Sequence, residues 1–347
     1  MNPIADNNNR SAGHHPFTPS RRFALLTLAL PGLLLAVAAF AGSTNIDPKT
    51  ADAVEAVVPA KPADYGLSTK AVARPHGDVA RSLRVPVAKL NVKSSSVMVI
   101  DAEDSSVLYS KRADVAMPIA SISKLMTALV VLEGGQSMDE YLEITEEDRD
   151  TEKGTTSRLT PGTELTRRDL LHLALMASEN RAAHALGRNY PDGLDAFVVA
   201  MNAKARELGM TSAHFVEPTG LSSQNVSSAA DLIKLVTAAA HNPTIREYST
   251  YQSYAVPVGR QLIEFRNTNS LVSKSGWDIA LQKTGYTVDA GRCLVMKALI
   301  QDRAVVMVLL HSVGKYTRVA DAGRIRKWVE NTAGMRTASV LRSQNLN

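Results

Sequence analysis

The segment SSSVMVIDAEDSSVLYSKRAD alternates apolar and polar positions in two short runs, 97–101 and 107–110. The acidic turn Glu103-Asp104-Ser105 parts them, so the pattern predicts a β-hairpin. The period then changes. In PIASISKLMTALV the apolar residues Leu125, Met126, Leu129 and Val130 recur at helical spacing, and Pro118 stands where a helix start tolerates proline. A polar stretch over 143–166 carries turn signals at Gly154 and Pro161-Gly162, and its acidic part, 143–150, reads as a solvated face. Helical periodicity returns over 169–186, 194–208 and 229–241. Strand patterns follow at 251–257, 262–267, 281–284, 292–301 and 304–312, with Asp302-Arg303 turning the last pair, and an amphipathic helix is expected over 319–331. Hairpin, helices, strands and closing helix, in that order, predict an α/β protein of the α+β kind. Its architecture would be a largely antiparallel sheet flanked by helices, with a helical lobe inserted in the middle. No internal repeat is present.

The first ninety or so residues follow other rules. Arg21 and Arg22 precede an apolar run from Phe23, which ends in the small-residue pattern Ala39-Phe40-Ala41. This predicts an export signal, with cleavage after Ala41 favoured because Pro31-Gly32 interrupts the run; an uncleaved N-terminal anchor is the competing reading. The arginine pair is a poor match to a twin-arginine signal, since Phe23 follows it directly. Residues 42–93 are rich in Ala, Pro and Val without sustained period, as in a flexible tether. The expected organisation is therefore signal 1–41, tether 42–93, folded domain 94–333 and a short flexible tail 334–347. The expected location is the periplasm, with the membrane touched only through an uncleaved signal.

Composition narrows the function classes. The chain has 347 residues, 45% of them apolar, enough for a substantial core. Its formal charge of +5 permits an acidic partner, but no Lys/Arg cluster interleaved with aromatics suggests nucleic-acid readout. The single cysteine, Cys293, admits no internal disulfide and reads as a small buried strand residue. No histidine-carboxylate spacing suggests a metal, and no cofactor is implied.

Polar residues on an apolar helix are harder to explain. Ser121, Ser123 and Lys124 fall in its first turns. A buried lysine loses its preference for the charged form and can accept a proton, and residues three apart on a helix are neighbours. Ser121 beside the Lys124 amine is an activated serine in outline, while Ser123 reads as a polar neighbour. Two further stretches join it. LMASENRAA ends an apolar segment on Ser178, Glu179 and Asn180, and LQKTGYTVDAGRC places Lys283-Thr284-Gly285 on a strand, the glycine suited to close backbone approach.

Serine-x-x-lysine, serine-x-asparagine and lysine-threonine-glycine, in that chain order, resemble the motif set of penicillin-binding proteins and class A β-lactamases. The stretches PIASISKLMTALVVLE, ASENRAAHALGRNYP, HFVEPTGLSSQNVSSAADLIKLV and QKTGYTVDAGRCLVMKALI are similar to the low-molecular-mass penicillin-binding proteins that act as D-alanyl-D-alanine carboxypeptidases and endopeptidases. Within that family they are most similar to the endopeptidase type known as penicillin-binding protein 7. The likeness covers about 94–331. It departs at Tyr286, where related groups often carry Thr or His, and at Glu179 in the middle of the second motif.

The resemblance implies a DD-peptidase/β-lactamase-like fold and an acyl-enzyme mechanism on peptidoglycan stem peptides, with β-lactam antibiotics as covalent inhibitors. Ser121 would be the nucleophile, Lys124 its base, Ser178 a proton relay, and Asn180 the group that orients the lysine and the substrate amide. Lys283, Thr284 and Gly285 would hold the substrate, and the N–H groups of Ser121 and Tyr286 would form the oxyanion hole. The residues after Asn331 are expected to leave no room for the further β-rich domain and amphipathic anchor of the membrane-bound carboxypeptidases. Cleavage of cross-links is the favoured reading, with a carboxypeptidase, a β-lactamase or a non-catalytic wall-binding protein as alternatives. Glu217, in VEPTGL, is weighed as a lactamase-type deacylating glutamate against a plain loop residue, and Arg292 as a carboxylate contact.

Overall fold

In the computed structural model the described residues are 90–344. The expected signal lies outside them, as does nearly all of the tether. The chain opens with β1 (Ser96–Asp101) and β2 (Val107–Lys111), the predicted hairpin. Pro118 does not start a helix: it ends the two-residue strand β3 (Met117–Pro118), and a 3₁₀ turn over Ala120–Ser123 leads into α1 (Lys124–Glu133). The short hairpin β4 (Tyr141–Glu143) and β5 (Glu164–Thr166) then brackets the polar stretch.

Next come α2 (Arg167–Met176), α3 (Asn180–Arg188) and α4 (Gly193–Glu207). Thr166 and Asp169 close a capping box at the start of α2, which satisfies two orphan donors there. Strand β6 (Val226–Ser227) pairs with β3, and α5 (Ala229–His241) follows, with Ser228 accepting from Asp231 N at 3.1 Å as its cap. Helix α6 (Pro243–Thr250), which periodicity does not predict, is set by Pro243 in its first turn and by Asn242, whose side chain accepts from Thr244 N. β7 (Ser253–Val258) and β8 (Gln261–Arg266) pair only with each other, so two of the five expected late strands form a separate hairpin. β9 (Asp278–Thr287), β10 (Gly291–Ile300), β11 (Arg303–Ser312) and α7 (Thr317–Gln344) complete the described chain. The closing helix runs past the expected Asn331 through Ala-, Arg- and Leu-containing sequence compatible with helix.

The main sheet is antiparallel in the order β2-β1-β11-β10-β9. Both its faces are covered. Along β11, Val306, Val308 and Leu310 face a core shared with α1, α2 and α5, while Val305, Met307 and Leu309 face Ala322, Ile325 and Val329 of α7. That double burial explains why VVMVLL is a continuous apolar run in an antiparallel strand. The strand order puts β9 at one edge of the sheet, beside the turn that carries Ser121.

Candidate active site

The turn before α1 is a tightly specified piece of backbone. Ala120 holds φ +48° and Gly220 φ +81°, the left-handed region that side chains rarely adopt. A Cβ on Gly220 would lie 2.0 Å from the Ala120 carbonyl oxygen, so glycine is obligatory there. On the other side, a Cβ on Gly285 would lie 2.9 Å from Ile119 O and 3.1 Å from Ser121 N. The third motif's glycine thus lets β9 press against the turn. Ser123 packs inward, donating to Ala120 O at 2.9 Å and accepting from Asn225 Nδ2 at 3.0 Å.

Lys124 is fully buried beneath this turn. Its Nζ lies 3.0 Å from Ser121 Oγ, 2.7 Å from Asn180 Oδ1 and 2.6 Å from the Thr219 carbonyl. Two of these partners can only accept, so they take two N–H bonds and leave the third position of the amine facing the serine. No carboxylate among the described residues contacts it. Burial pushes the ammonium down from 10.5 to about 8, opposed in part by Glu217, Glu179 and Asp150 at longer range.

Ser178 reaches the same cleft by a route periodicity does not predict. The expected helix over 169–186 is two helices, broken at Ala177-Ser178-Glu179 with Ser178 at φ +61°. The break turns Ser178 Oγ to within 2.8 Å of Lys283 Nζ, and it makes Asn180 the first residue of α3, with Glu179 as its cap. Lys283 is fully buried as well and donates to Thr284 O at 2.9 Å. Desolvation, and then the nearby charges of Lys124 and Arg318, hold its ammonium well below the ordinary lysine range. Thr284 Oγ1 shares a 2.6 Å hydrogen bond with Thr268 Oγ1. The six residues thus fall into two hydrogen-bonded groups, Ser121, Lys124 and Asn180 in one and Ser178, Lys283 and Thr284 in the other, joined through the backbone at 178–180. Tyr286 follows on the same strand, its ring exposed and covered by the Arg292 guanidinium 4.2 Å from the ring centroid.

Several members of the site carry no sequence signal strong enough to single them out. Thr219 contributes only a carbonyl. Thr155 accepts from Asn180 Nδ2 at 3.0 Å, and Arg318 of α7 donates to the carbonyls of Gly285, at 2.6 Å, and Cys293. Turn glycine Gly220 is the one visible hint. Glu217 is spent on its own loop. Its carboxylate accepts from Thr219 N, Thr219 Oγ1 and Gly220 N, each at 2.6 Å, and from Ser222 N at 3.3 Å. It shapes the turn that presents Thr219 O and Gly220.

The acidic run, expected above to be a solvated face, is solvated only in part. Glu146 and Glu147 are exposed, but Asp148 is buried, bonded to His184 Nδ1 at 2.7 Å and Arg188 Nη2 at 2.9 Å, so it fastens α3 to the preceding loop. Cys293 is buried, and burial pushes its thiol up to about 11. Among the described residues no group of three His, Cys, Asp or Glu side chains is placed to hold a metal ion.

Comparison with known proteins points one way. The family model described as D-alanyl-D-alanine carboxypeptidase matches residues 83–313. The D-alanyl-D-alanine endopeptidase of Escherichia coli (strain K12) is 47% identical over 241 residues, 69% of this chain and 78% of that protein. The D-alanyl-D-alanine endopeptidase of Pseudomonas aeruginosa is 48% identical over 239 residues, 68% of this chain and 77% of that protein. Among solved structures, the Streptomyces K15 DD-transpeptidase superposes with a TM-score of 0.64 at 27% identity, over 70% of this chain and 98% of that one.

Proposed function

The chain belongs to the D-alanyl-D-alanine carboxypeptidase family of serine hydrolases, and we propose that within it the enzyme is a cell-envelope endopeptidase that opens peptidoglycan cross-links through an acyl-enzyme on Ser121. The carrying observation is the Lys124 amine, buried, without a carboxylate partner and 3.0 Å from Ser121 Oγ. In its neutral form its two N–H bonds go to Asn180 Oδ1 and Thr219 O, and its lone pair accepts the serine proton.

Ser121 Oγ attacks the carbonyl of the penultimate D-alanine. The oxyanion is held by the backbone N–H groups of Ser121 and Tyr286, which the close approach at Gly285 brings together. Ser178 passes the proton to the leaving amine, and Lys283, with Arg318 behind the strand, supplies the positive field that holds Thr284 and a substrate carboxylate. Asn180 Nδ2 turns to the substrate amide. Water then releases the acyl group, and the ester formed with a β-lactam persists. The motifs serve a terminal or an internal D-alanyl bond alike, and the two endopeptidase relatives favour the internal one.

We place the enzyme in the periplasm, exported by the segment ending at Ala41 and held off the membrane by the stretch 42–93. The folded catalytic unit would span 94–333, with 334–347 as its tail. No described helix is long and apolar enough to cross a membrane. Its partners are peptidoglycan stem peptides, with β-lactams as inhibitors. Digestion of purified cross-linked muropeptides, followed by mass spectrometry, tests the reading: dimers should become monomers. Release of D-alanine from pentapeptide with dimers untouched would establish a carboxypeptidase instead.

A further inference from the structure

Because β9 is the edge of the main sheet, an extended peptide can add to its free side, passing Thr284 and Tyr286 and running on toward the β9–β10 turn. At that turn it meets an ion pair. Lys153 Nζ lies 2.7 Å from Asp289 Oδ2, joining the loop over 150–157 to the sheet side. The loop is folded around the Asp150 carboxylate, which accepts from Glu152 N at 2.9 Å, Lys153 N at 2.8 Å, Thr155 N at 2.8 Å and Thr155 Oγ1 at 2.6 Å. Two residues beyond Lys153, Thr155 Oγ1 takes the Asn180 Nδ2 proton that the proposed mechanism spends on substrate. One short rigid loop therefore bridges the end of the cleft and occupies a substrate-binding donor.

We propose that the Lys153–Asp289 ion pair is a strap that discriminates by ligand length: a small β-lactam fits short of it, whereas a cross-linked stem peptide lying along β9 must break it. This rests on the reading of the site given above. The two side chains are 33% and 42% exposed, so the strap is wet and opens readily. Their mutual hydrogen bond raises the Lys153 pKa and lowers that of Asp289, so both stay charged at neutral pH.

The test compares the unmodified enzyme with Lys153→Ala, with Asp289→Ala, and with the exchanged pair Lys153→Asp plus Asp289→Lys. Each is assayed for kcat and KM on cross-linked muropeptide dimers and for the rate of covalent penicillin labelling. The single variants should lower KM for dimers by about two- to fivefold, the size an exposed pair allows, while kcat and the labelling rate hold. The exchanged pair should restore the original KM. Added salt should lower KM for the unmodified enzyme only. An unchanged or raised KM in both single variants, or labelling accelerated to the same degree as dimer cleavage, would overturn the strap. Failure of the unmodified enzyme to label at Ser121 would instead overturn the reading of the site, and the two results are told apart directly.

Discussion

Buried charge is treated in two opposite ways in this molecule. Away from the cleft it is matched. Asp321 accepts from Ser94 N at 2.7 Å and Ser94 Oγ at 2.6 Å and pairs with Arg324; Asp148 has Arg188 and His184; Arg167, fully buried, meets Glu140 at 2.5 Å. In the cleft, Lys124 and Lys283 are equally buried, yet their partners are hydroxyls, an amide and backbone carbonyls. A matched charge is locked in its ionised form. An unmatched one gives up its proton more readily, and of the two only Lys124 lies beside Ser121 Oγ, where the proposed mechanism needs a base.

The difference is broken most sharply at the lysine itself. Lys124→Arg keeps a cation that cannot deprotonate, and acylation by penicillin should fall about 10²- to 10⁴-fold, read as the rate of fluorescent labelling. Near-normal labelling would mean that another group takes the serine proton. Ser121→Ala should remove labelling altogether with the thermal transition unchanged. On the matched side, Asp148→Ala removes the carboxylate shared by His184 and Arg188, the latter partly exposed and still bonded to Glu143 O, and should cost about 1–3 kcal/mol in denaturant unfolding, while labelling by the folded protein falls far less than in Lys124→Arg.

A smaller effect comes from pH. With the Lys124 pKa lowered to about 8, acylation should rise with pH and level off above that value. A profile flat from pH 6 to 9 would contradict a lysine base. The smallest effect concerns stability. His172 is sandwiched between the rings of Tyr248 and Tyr254, at 4.5 and 4.0 Å, and burial pushes its pKa from 6.5 down to about 4. The unfolded chain therefore binds a proton between those values that the folded one refuses, so stability should be lost as pH falls from 6.5 toward 4. His172→Phe should flatten that slope in urea titrations.

What was legible beforehand divides along the same line. Helix α5, the opening hairpin and strands β10 and β11 follow from local period and turn chemistry, and the resemblance of the three motifs to a family set directs attention to Ser121, Lys124, Ser178, Asn180, Lys283 and Thr284. What the pattern could not carry is what tertiary contact decides. Only the polar triplet Ser178-Glu179-Asn180 marks the break locally, since no glycine or proline interrupts the period and the left-handed serine is held by its surroundings. The separation of β7 and β8 from the main sheet is a matter of pairing, not of strand propensity. Asp148 looked like one more residue of a solvated run because its partners lie some forty residues away in sequence. Arg318 and the Thr219 carbonyl are invisible for the same reason.

The Glu217 loop bears on how far this scaffold stands from another chemistry. A glutamate that hydrolyses an acyl-enzyme needs a free oxygen aimed at a water, whereas both oxygens here are bonded to the turn that seats Gly220 under Ala120. Freeing one would loosen the support of the nucleophile itself. A substitution that frees one of them should therefore slow labelling at Ser121 as well.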